Sequence, residues 1–186
     1  MNPRSYFDIE IRGASSAGAG QIPAVPAMTR LVHVLHGVFS IYPAKFAIAL
    51  PRMKTGAIRH PGHVIRIFAD TRDELDVVAG ALNANERVRG YASLTYPKSV
   101  PQNFGGPWYE FRRYRIPGTG SRLDKCRQFR LEASEKLPHF RSKSASNGNQ
   151  FVIFVDRRNG AASSDCAPDN YGLSVPSRAF ALPMVQ

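Results

Sequence analysis

The stretch VIRIFADTRDELDVVAGAL (64–82) changes from a strand pattern to a helix pattern within one turn. Its first part, VIRIFAD (64–70), is a run of mostly apolar residues that predicts a buried strand. Thr71 and Glu74 then stand at the spacing of a capping box, which marks the start of a helix. The residues that recur at helical spacing behind this cap are Leu75, Val78, Ala79 and Leu82. We therefore predict a strand that leads directly into a helix with one buried face.

The same alternation of strands and helices extends outward from this stretch. YFDIEIR (6–12) alternates apolar and polar residues, as a half-buried strand does. A long flexible connection, GASSAGAGQIP (13–23), separates it from an amphipathic helix predicted at 27–41. The apolar face of that helix carries Leu31, Val32, Leu35, Val38 and Phe39. FAIALP (46–51) and VRGYASLTYP (88–97) are predicted to be the remaining strands.

These elements follow one another in the order β-α-β-β-α-β. That order predicts an α+β fold whose first part, residues 1–97, is a ferredoxin-like domain. Many RNA-binding proteins contain this fold, but the fold alone does not determine a function.

A smaller, basic C-terminal domain is predicted from residue 98 to residue 186. Prolines and glycines interrupt the periodicity just after Pro97. A basic linker containing WYEFRRYR (108–115) leads to a helix predicted to begin after Ser121. The apolar stripe of this helix is Leu123, Cys126, Phe129, Ala133 and Leu137. Short strands are predicted to follow, one of them at 151–155.

The chain is strongly basic. Its 186 residues include 25 Lys and Arg against 14 Asp and Glu, for a formal net charge of +11. Residues 96–145 alone hold 11 basic and 4 acidic residues. This excess favours a polyanionic partner, with nucleic acid as the first candidate, over a neutral metabolite.

The sequence contains neither a signal-peptide pattern nor a membrane span, so we expect a cytoplasmic protein with no membrane partner. Cys126 and Cys166 fit neither a disulfide framework nor a zinc ribbon, and we expect both to be reduced thiols. HPGH (60–63), together with His33 and His36, offers four histidines. No carboxylate or cysteine accompanies them at ligand spacing, so we expect no metal and no cofactor.

Aromatic and arginine residues interleave at 108–115, a mixture that suits nucleic acid. Aromatic rings stack on bases, and guanidinium groups bind phosphates or guanine edges. The alternative interpretation is a solvated basic loop whose aromatic residues belong to a core.

Two further features carry possible chemistry. His36 is predicted at the edge of the apolar face of the first helix, where a half-buried histidine can act as a general base. More commonly, a histidine at such a boundary only packs. The serines of RSKSASNGNQF (141–151) have no nucleophile elbow around them, so they do not predict a serine hydrolase. Hydroxyl groups at such positions usually form turns.

Taken in order, His36, RSKS with its polar turn and QF (141–151), and YGLS (171–174) resemble the repeat-processing endoribonuclease of type I-F CRISPR systems. The resemblance spans nearly the whole chain in motif order and is strongest from residue 141 to residue 174. It implies metal-independent cleavage of CRISPR repeat RNA beside a stem-loop, which makes mature crRNA. The products would carry a 2′,3′-cyclic phosphate and a 5′-hydroxyl. The enzyme would stay bound to its product with the other subunits of a guide-RNA complex.

The resemblance also implies the catalytic roles. His36 would accept a proton from the ribose 2′-hydroxyl upstream of the scissile phosphate. Ser142 would hold that hydroxyl, with Ser144 as its close neighbour. Tyr171 would orient the site.

The remaining implied roles concern RNA binding. Phe151 would pack under the base of the RNA hairpin, and Arg113 and Arg115 would read the foot of its stem. The helix that lies along the major groove of the stem would contribute Arg122, Lys125, Arg127 and Arg130.

This sequence also departs from the family pattern. The turn ASNGNQ is longer by two residues, the helix after residue 121 has fewer arginines, and Arg115 stands where relatives commonly carry glutamine. These differences predict a different hairpin preference. The alternative function is a non-catalytic RNA hairpin-binding subunit, which would need neither His36 nor Ser142. A DNA-binding protein is disfavoured because no recognition-helix motif is present.

Overall fold

The computed structural model describes residues 1–13, 24–57, 59–118, 124–143 and 148–185. Within these ranges the chain is a mixed α/β protein with four helices and two antiparallel sheets. The helices are α1 (Ala24–Ile41), α2 (Arg72–Ala84), α3 (Glu86–Tyr91) and α4 (Asp124–Ser134). The strands are β1 (Ser5–Ile11), β2 (Ala47–Ala49), β3 (Val64–Ala69), β4 (Ala92–Leu94), β5 (Lys98–Ser99), β6 (Trp108–Tyr114), β7 (His139–Lys143), β8 (Gln150–Gly160) and β9 (Leu182–Pro183). None of the helices in these ranges has both the length and the apolar character needed to cross a bilayer.

The first sheet has the strand order β2-β3-β1-β4, and β5 also pairs with β1. In its centre, Ile9 lies opposite both Ile65 and Leu94. Arg66 of β3 lies opposite Asp8 of β1 and binds both of its carboxylate oxygens, at 2.6 and 2.8 Å. The guanidinium also donates to the carbonyl of Val185, so this sheet holds the C-terminal segment of the chain.

Helix α2 begins with the capping box that the sequence predicts. The backbone N–H of Glu74 donates to Thr71 Oγ1 at 3.3 Å, and the backbone N–H of Thr71 donates to Glu74 Oε2 at 3.3 Å. Leu75, Val78 and Leu82 are buried, as predicted, whereas Ala79, predicted on the same face, is only partly buried. The predicted first strand and the predicted helix at 27–41 are likewise confirmed, as β1 and α1.

The strand predicted at 88–97 is wrong in its first half. Residues 86–91 form helix α3, and only 92–94 join the sheet as β4. Asn85 begins this helix because its side chain accepts a hydrogen bond from the N–H of Val88 at 3.2 Å. Val88 and Tyr91 are both buried, and their separation of three residues places them on the same face of a helix.

The second sheet has the order β7-β8-β6-β9. Residues 108–114, predicted to be part of a basic linker, instead form β6 in the interior of this sheet. Strand β6 pairs with β8 along its whole length and with β9 at Trp108 and Tyr109. The predicted strand at 151–155 is confirmed and is longer, because it continues to Gly160 as β8.

Helix α4 is shorter and less buried than predicted. It ends at Ser134, and Phe129, which the prediction assigns to the apolar stripe, is 70 % exposed. Among the side chains of α4 that the structure describes, residues 125–134, the buried one is Ser134. Ser121 and Leu123, like most of the predicted connection at 13–23, lie outside the described residues.

The two sheets meet along the segment 169–175. Its Ser174 exchanges backbone hydrogen bonds with Phe111 and Arg113 of β6, at 2.9 and 2.8 Å. On the other side, the N–H of Ile48 in β2 donates to the carbonyl of Gly172 at 2.8 Å. Buried residues of both sheets form one continuous hydrophobic cluster. The division of the chain at residue 97 stays a prediction.

This junction requires a glycine at position 172 for two reasons. Its φ of +75° lies in the left-handed region, and a Cβ would lie 2.9 Å from both Ile48 Cγ2 and Phe39 Cε2. We expect Gly172→Ala to lower the free energy of unfolding by about 1–3 kcal/mol, because the added methyl group meets backbone strain and packed side chains. Urea denaturation followed by circular dichroism measures the change.

Gly80→Ala is the control for this prediction. Gly80 lies within α2, and outside its chain neighbours and the helix's own backbone no atom would lie within 4 Å of an added Cβ, so alanine should raise the stability by roughly 0.5–1 kcal/mol. Equal effects of the two substitutions would contradict the account of the junction.

The two cysteines should differ in reactivity. Cys166 is 1 % exposed, and burial raises the pKa of its thiol to about 12, whereas Cys126 is partly exposed. Because the thiolate is the reactive form, a disulfide reagent at mildly alkaline pH should label Cys126 quickly and Cys166 only as fast as the protein unfolds. Cys126→Ser should remove the fast phase. A fast phase that survives in this variant would contradict the prediction.

Candidate functional site

His36 is held in a defined orientation on helix α1, which packs against β7 and the first sheet. Its side chain is half-buried, and its Nδ1 lies 2.8 Å from the backbone carbonyl oxygen of Asn170. Because a carbonyl oxygen only accepts hydrogen bonds, Nδ1 carries the proton in this contact. The neutral imidazole therefore presents an unprotonated Nε2, the form in which a histidine can accept a proton.

Tyr171 stacks directly on this histidine. The two ring centroids are 4.1 Å apart and the ring planes differ by 9°. The guanidinium carbon of Arg113 lies 4.6 Å from the centroid of the tyrosine ring, and Phe151 makes an edge-on contact with that ring at 6.4 Å. Burial raises the pKa of the Tyr171 hydroxyl; the nearby Arg113 partly offsets this rise, and Asp169 adds to it. At neutral pH the phenol thus keeps its proton and can donate a hydrogen bond.

Asp169 organises the turn that carries Tyr171. Its Oδ1 accepts hydrogen bonds from the N–H groups of Tyr171 at 2.9 Å and Leu173 at 3.1 Å. Its Oδ2 lies 3.1 Å from Arg113 Nη1 and 3.9 Å from Arg115 Nη2. The residue is 8 % exposed, so its charge is largely removed from solvent.

Sequence reasoning missed Asp169. The signal that could have found it is the run DNYG (169–172), because aspartate commonly hydrogen-bonds to backbone N–H groups that follow it in a turn. Its ion pair with Arg113 spans 56 residues and has no local signal.

The serine motif lies on the neighbouring strand. Ser142 belongs to β7 and is the register partner of Phe151 in β8. Since Phe151 contacts Tyr171, this part of the β7–β8 hairpin lies beside the His36–Tyr171 pair. Ser144 lies outside the described residues. The structure thus brings together four predicted site residues, His36, Phe151, Tyr171 and Arg113, and adds Asp169.

The predicted RNA-binding arginines of the 108–115 stretch have different surroundings. Arg113 is largely enclosed by its contacts with Asp169 and Tyr171. The side chain of Arg115 is 63 % exposed and only loosely paired with the same carboxylate, so its guanidinium is accessible to a ligand.

The predicted RNA-binding cations of α4 also differ in their exposure and contacts. Lys125 is exposed, whereas Arg127 is half-buried. Arg130 donates to the carbonyl of Arg115 at 2.8 Å and lies over the Tyr114 ring, so it fastens the helix to the end of β6. Arg122 lies outside the described residues.

The other histidines lie apart from this cluster. His33 is exposed on α1. His60 accepts a hydrogen bond from the N–H of Gly62 at 2.9 Å, and burial, with the charges of Lys54 and His63, lowers the pKa of its ring. Across the ranges that the structure describes, no three side chains of His, Cys, Asp or Glu are grouped as a metal site.

Comparison with known proteins adds no assignment. No family model matches the chain, and no curated protein matches it.

The Asp169 carboxylate should contribute more to the free energy of unfolding than an exposed carboxylate does. We expect Asp169→Ala to lower the free energy of unfolding by about 2–4 kcal/mol, because two backbone N–H groups and Arg113 lose their partner. Asp169→Asn keeps an acceptor for the turn and should lose less. Urea denaturation of both variants checks this.

Asp165→Ala provides the matched control, since that side chain is 99 % exposed. Its effect should stay within about 0.5 kcal/mol of wild type. If Asp169→Ala were equally harmless, the carboxylate would not organise the site.

Proposed function

We propose that this protein is a metal-independent endoribonuclease that cleaves CRISPR repeat RNA beside a stem-loop to make mature crRNA. The observation that supports this best is the His36 ring, stacked on Tyr171 and fixed through Nδ1 to a backbone carbonyl, beside the strand that carries Ser142. This contact leaves Nε2 as the ring nitrogen that can accept a proton from a substrate hydroxyl.

The fold is consistent with this proposal. The first six main elements follow the order β-α-β-β-α-β, apart from the short helix α3, and their strands lie in the order β2-β3-β1-β4. This arrangement supports a ferredoxin-like N-terminal domain. The strands and helix after residue 97 would then form the RNA-binding C-terminal domain.

In the proposed reaction, the substrate supplies its own nucleophile. Nε2 of His36 accepts the proton of the ribose 2′-hydroxyl while the 2′-oxygen attacks the adjacent phosphorus. The bond between phosphorus and the 5′-oxygen breaks, and that oxygen takes a proton from solvent. The products carry a 2′,3′-cyclic phosphate and a 5′-hydroxyl. Positioning of the ribose in line with the phosphate, the role proposed for Ser142 and its neighbour Ser144, supplies the rest of the acceleration.

The residues around His36 would act as positioning residues. Tyr171 restrains the imidazole ring by stacking, and Asp169 restrains Tyr171 through the turn. Arg113 neutralises Asp169 and lies over the same tyrosine ring. For Arg113 we therefore propose mainly a structural part, in place of direct reading of the RNA stem.

RNA binding would rest on the cations that stay accessible. Arg115, just after β6, and Lys125 of α4 are exposed. Arg122, outside the described residues, would add a further phosphate contact, whereas the half-buried Arg127 and the carbonyl-bound Arg130 would contribute mainly their charge to the stem-binding surface. Phe151, part-exposed beside Tyr171, would pack under the base of the hairpin. Many phosphate contacts would slow product release, which suits a subunit that stays in a cytoplasmic guide-RNA complex with other CRISPR proteins.

Cleavage in EDTA is the direct test. A pool of short RNA hairpins with randomised stems and single-stranded flanks is incubated with the protein, and new 5′-hydroxyl ends are labelled and sequenced. We expect cleavage beside the stem in the wild type. For the RNA so identified, His36→Ala should lower the rate about 10²- to 10⁴-fold, because the general base is lost. A 2′-deoxy sugar at the scissile position should abolish cleavage, while binding survives both changes.

His33→Ala is the matched control, because His33 lies exposed on the same helix and should be dispensable. Tight hairpin binding with no cleavage by the wild type would identify a non-catalytic hairpin-binding subunit instead. Equal loss of activity in the two histidine variants would contradict the role given to His36.

A further inference from the structure

A cavity of about 290 Å³ opens on the face of the β7–β8 hairpin opposite the candidate site. Strand β7 contributes His139 and Arg141 to it, and strand β8 contributes Val152 and Phe154. The alternate residues Phe140 and Ile153 are buried in the core, as the two-residue period of strands requires. Ser134 at the end of α4, Glu135 just after it, and Arg59 from the loop before β3 complete the lining.

The floor of this cavity is aromatic and apolar. The rings of His139 and Phe154 lie 5.5 Å apart at 56°, and Val152 is 42 % exposed beside them. Aromatic rings on the floor of a concave site offer a surface on which the face of a base can stack.

The rim of this cavity includes three charged side chains, Arg59, Arg141 and Glu135. Among the described residues, no carboxylate lies within 4 Å of the Arg59 or Arg141 guanidinium, and no cation lies within 4 Å of the Glu135 carboxylate. Elsewhere in this structure, Arg66, Arg113 and Arg158 each have an acidic partner. Two unpaired guanidinium groups above an aromatic floor match a phosphate with its attached base.

We propose that this cavity binds one unpaired nucleotide in the single-stranded flank of the RNA hairpin. The inference rests on the function proposed above. The phosphate lies between Arg59 and Arg141, the base stacks on Phe154, and Glu135 accepts a hydrogen bond from an N–H group on the edge of the base.

The position of the cavity favours this ligand over an unrelated one. Strand β7 is the edge strand of its sheet, and Arg141 of the cavity directly precedes Ser142, the register partner of Phe151, so the two faces are separated by the thickness of one hairpin. The RNA segment next to Phe151 and Tyr171 on one face thus continues to Arg141 and Phe154 on the other. A flank held in this way would fix the register of the cut relative to the stem.

The experiment compares two RNAs by fluorescence anisotropy at one salt concentration. One is the hairpin recovered from the randomised pool with its flanks, and the other is the same hairpin without them. We expect the wild type to bind the flanked RNA more tightly. Arg59→Gln and Arg141→Gln should each weaken binding of the flanked RNA about tenfold, the loss of one charge-assisted contact, and leave the bare hairpin nearly unaffected.

Arg87→Gln is the matched control, since Arg87 is an exposed arginine on α3, away from the cavity. It removes the same charge and should weaken both RNAs equally and slightly. If Arg141→Gln behaves like Arg87→Gln, the cavity is not a nucleotide site, while the proposed function stands. If the wild type binds neither RNA, the proposed function and this inference are both overturned.

Discussion

The carboxylate of Asp169 is the group on which the rest of the candidate site depends. One of its oxygens holds the turn that contains Tyr171, and the other binds Arg113 of β6. Because the residue is buried, both sets of partners are needed to satisfy its charge, and neither can move independently. Tyr171 then sets the plane of the His36 ring, so the orientation of a histidine on α1 follows from an aspartate more than 130 residues later.

The site lies where the two sheets meet, and this position explains how its parts are held. The segment 169–175 hydrogen-bonds to β6 on one side and to β2 on the other. Helix α1 spans the same junction by packing against β7. Residues from the two halves of the chain therefore meet in one place, as the proposed alignment of a ribose and a phosphate would require.

Some of the basic residues stabilise the fold, so the net charge does not consist only of cations that are free to bind a ligand. Several arginines in the basic region bind within the protein: Arg113 to Asp169, and Arg130 to a carbonyl and the Tyr114 ring. The net charge predicts a polyanionic partner, but it does not tell which cations are free to meet it. The individual contacts distinguish the exposed Arg115, and the arginines that line the β7–β8 cavity, from the arginines bound within the protein.

Local sequence patterns were sufficient to predict β1, α1 and the capping box of α2. In these elements most of the residues that the alternating or helical pattern marks as apolar are buried. The local patterns failed at 86–91, where the cap at Asn85 makes a helix, and at 108–114, where pairing with β8 and β9 makes a strand. His36, Phe151, Tyr171 and Arg113 could be named from motifs that resemble a known family, whereas Asp169 and the β7–β8 cavity could not. The sequence by itself determined the alternation of elements, the basic character and the residues available for chemistry. Tertiary structure alone decided which of these residues meet, because the contacts that orient His36 join segments far apart in the chain.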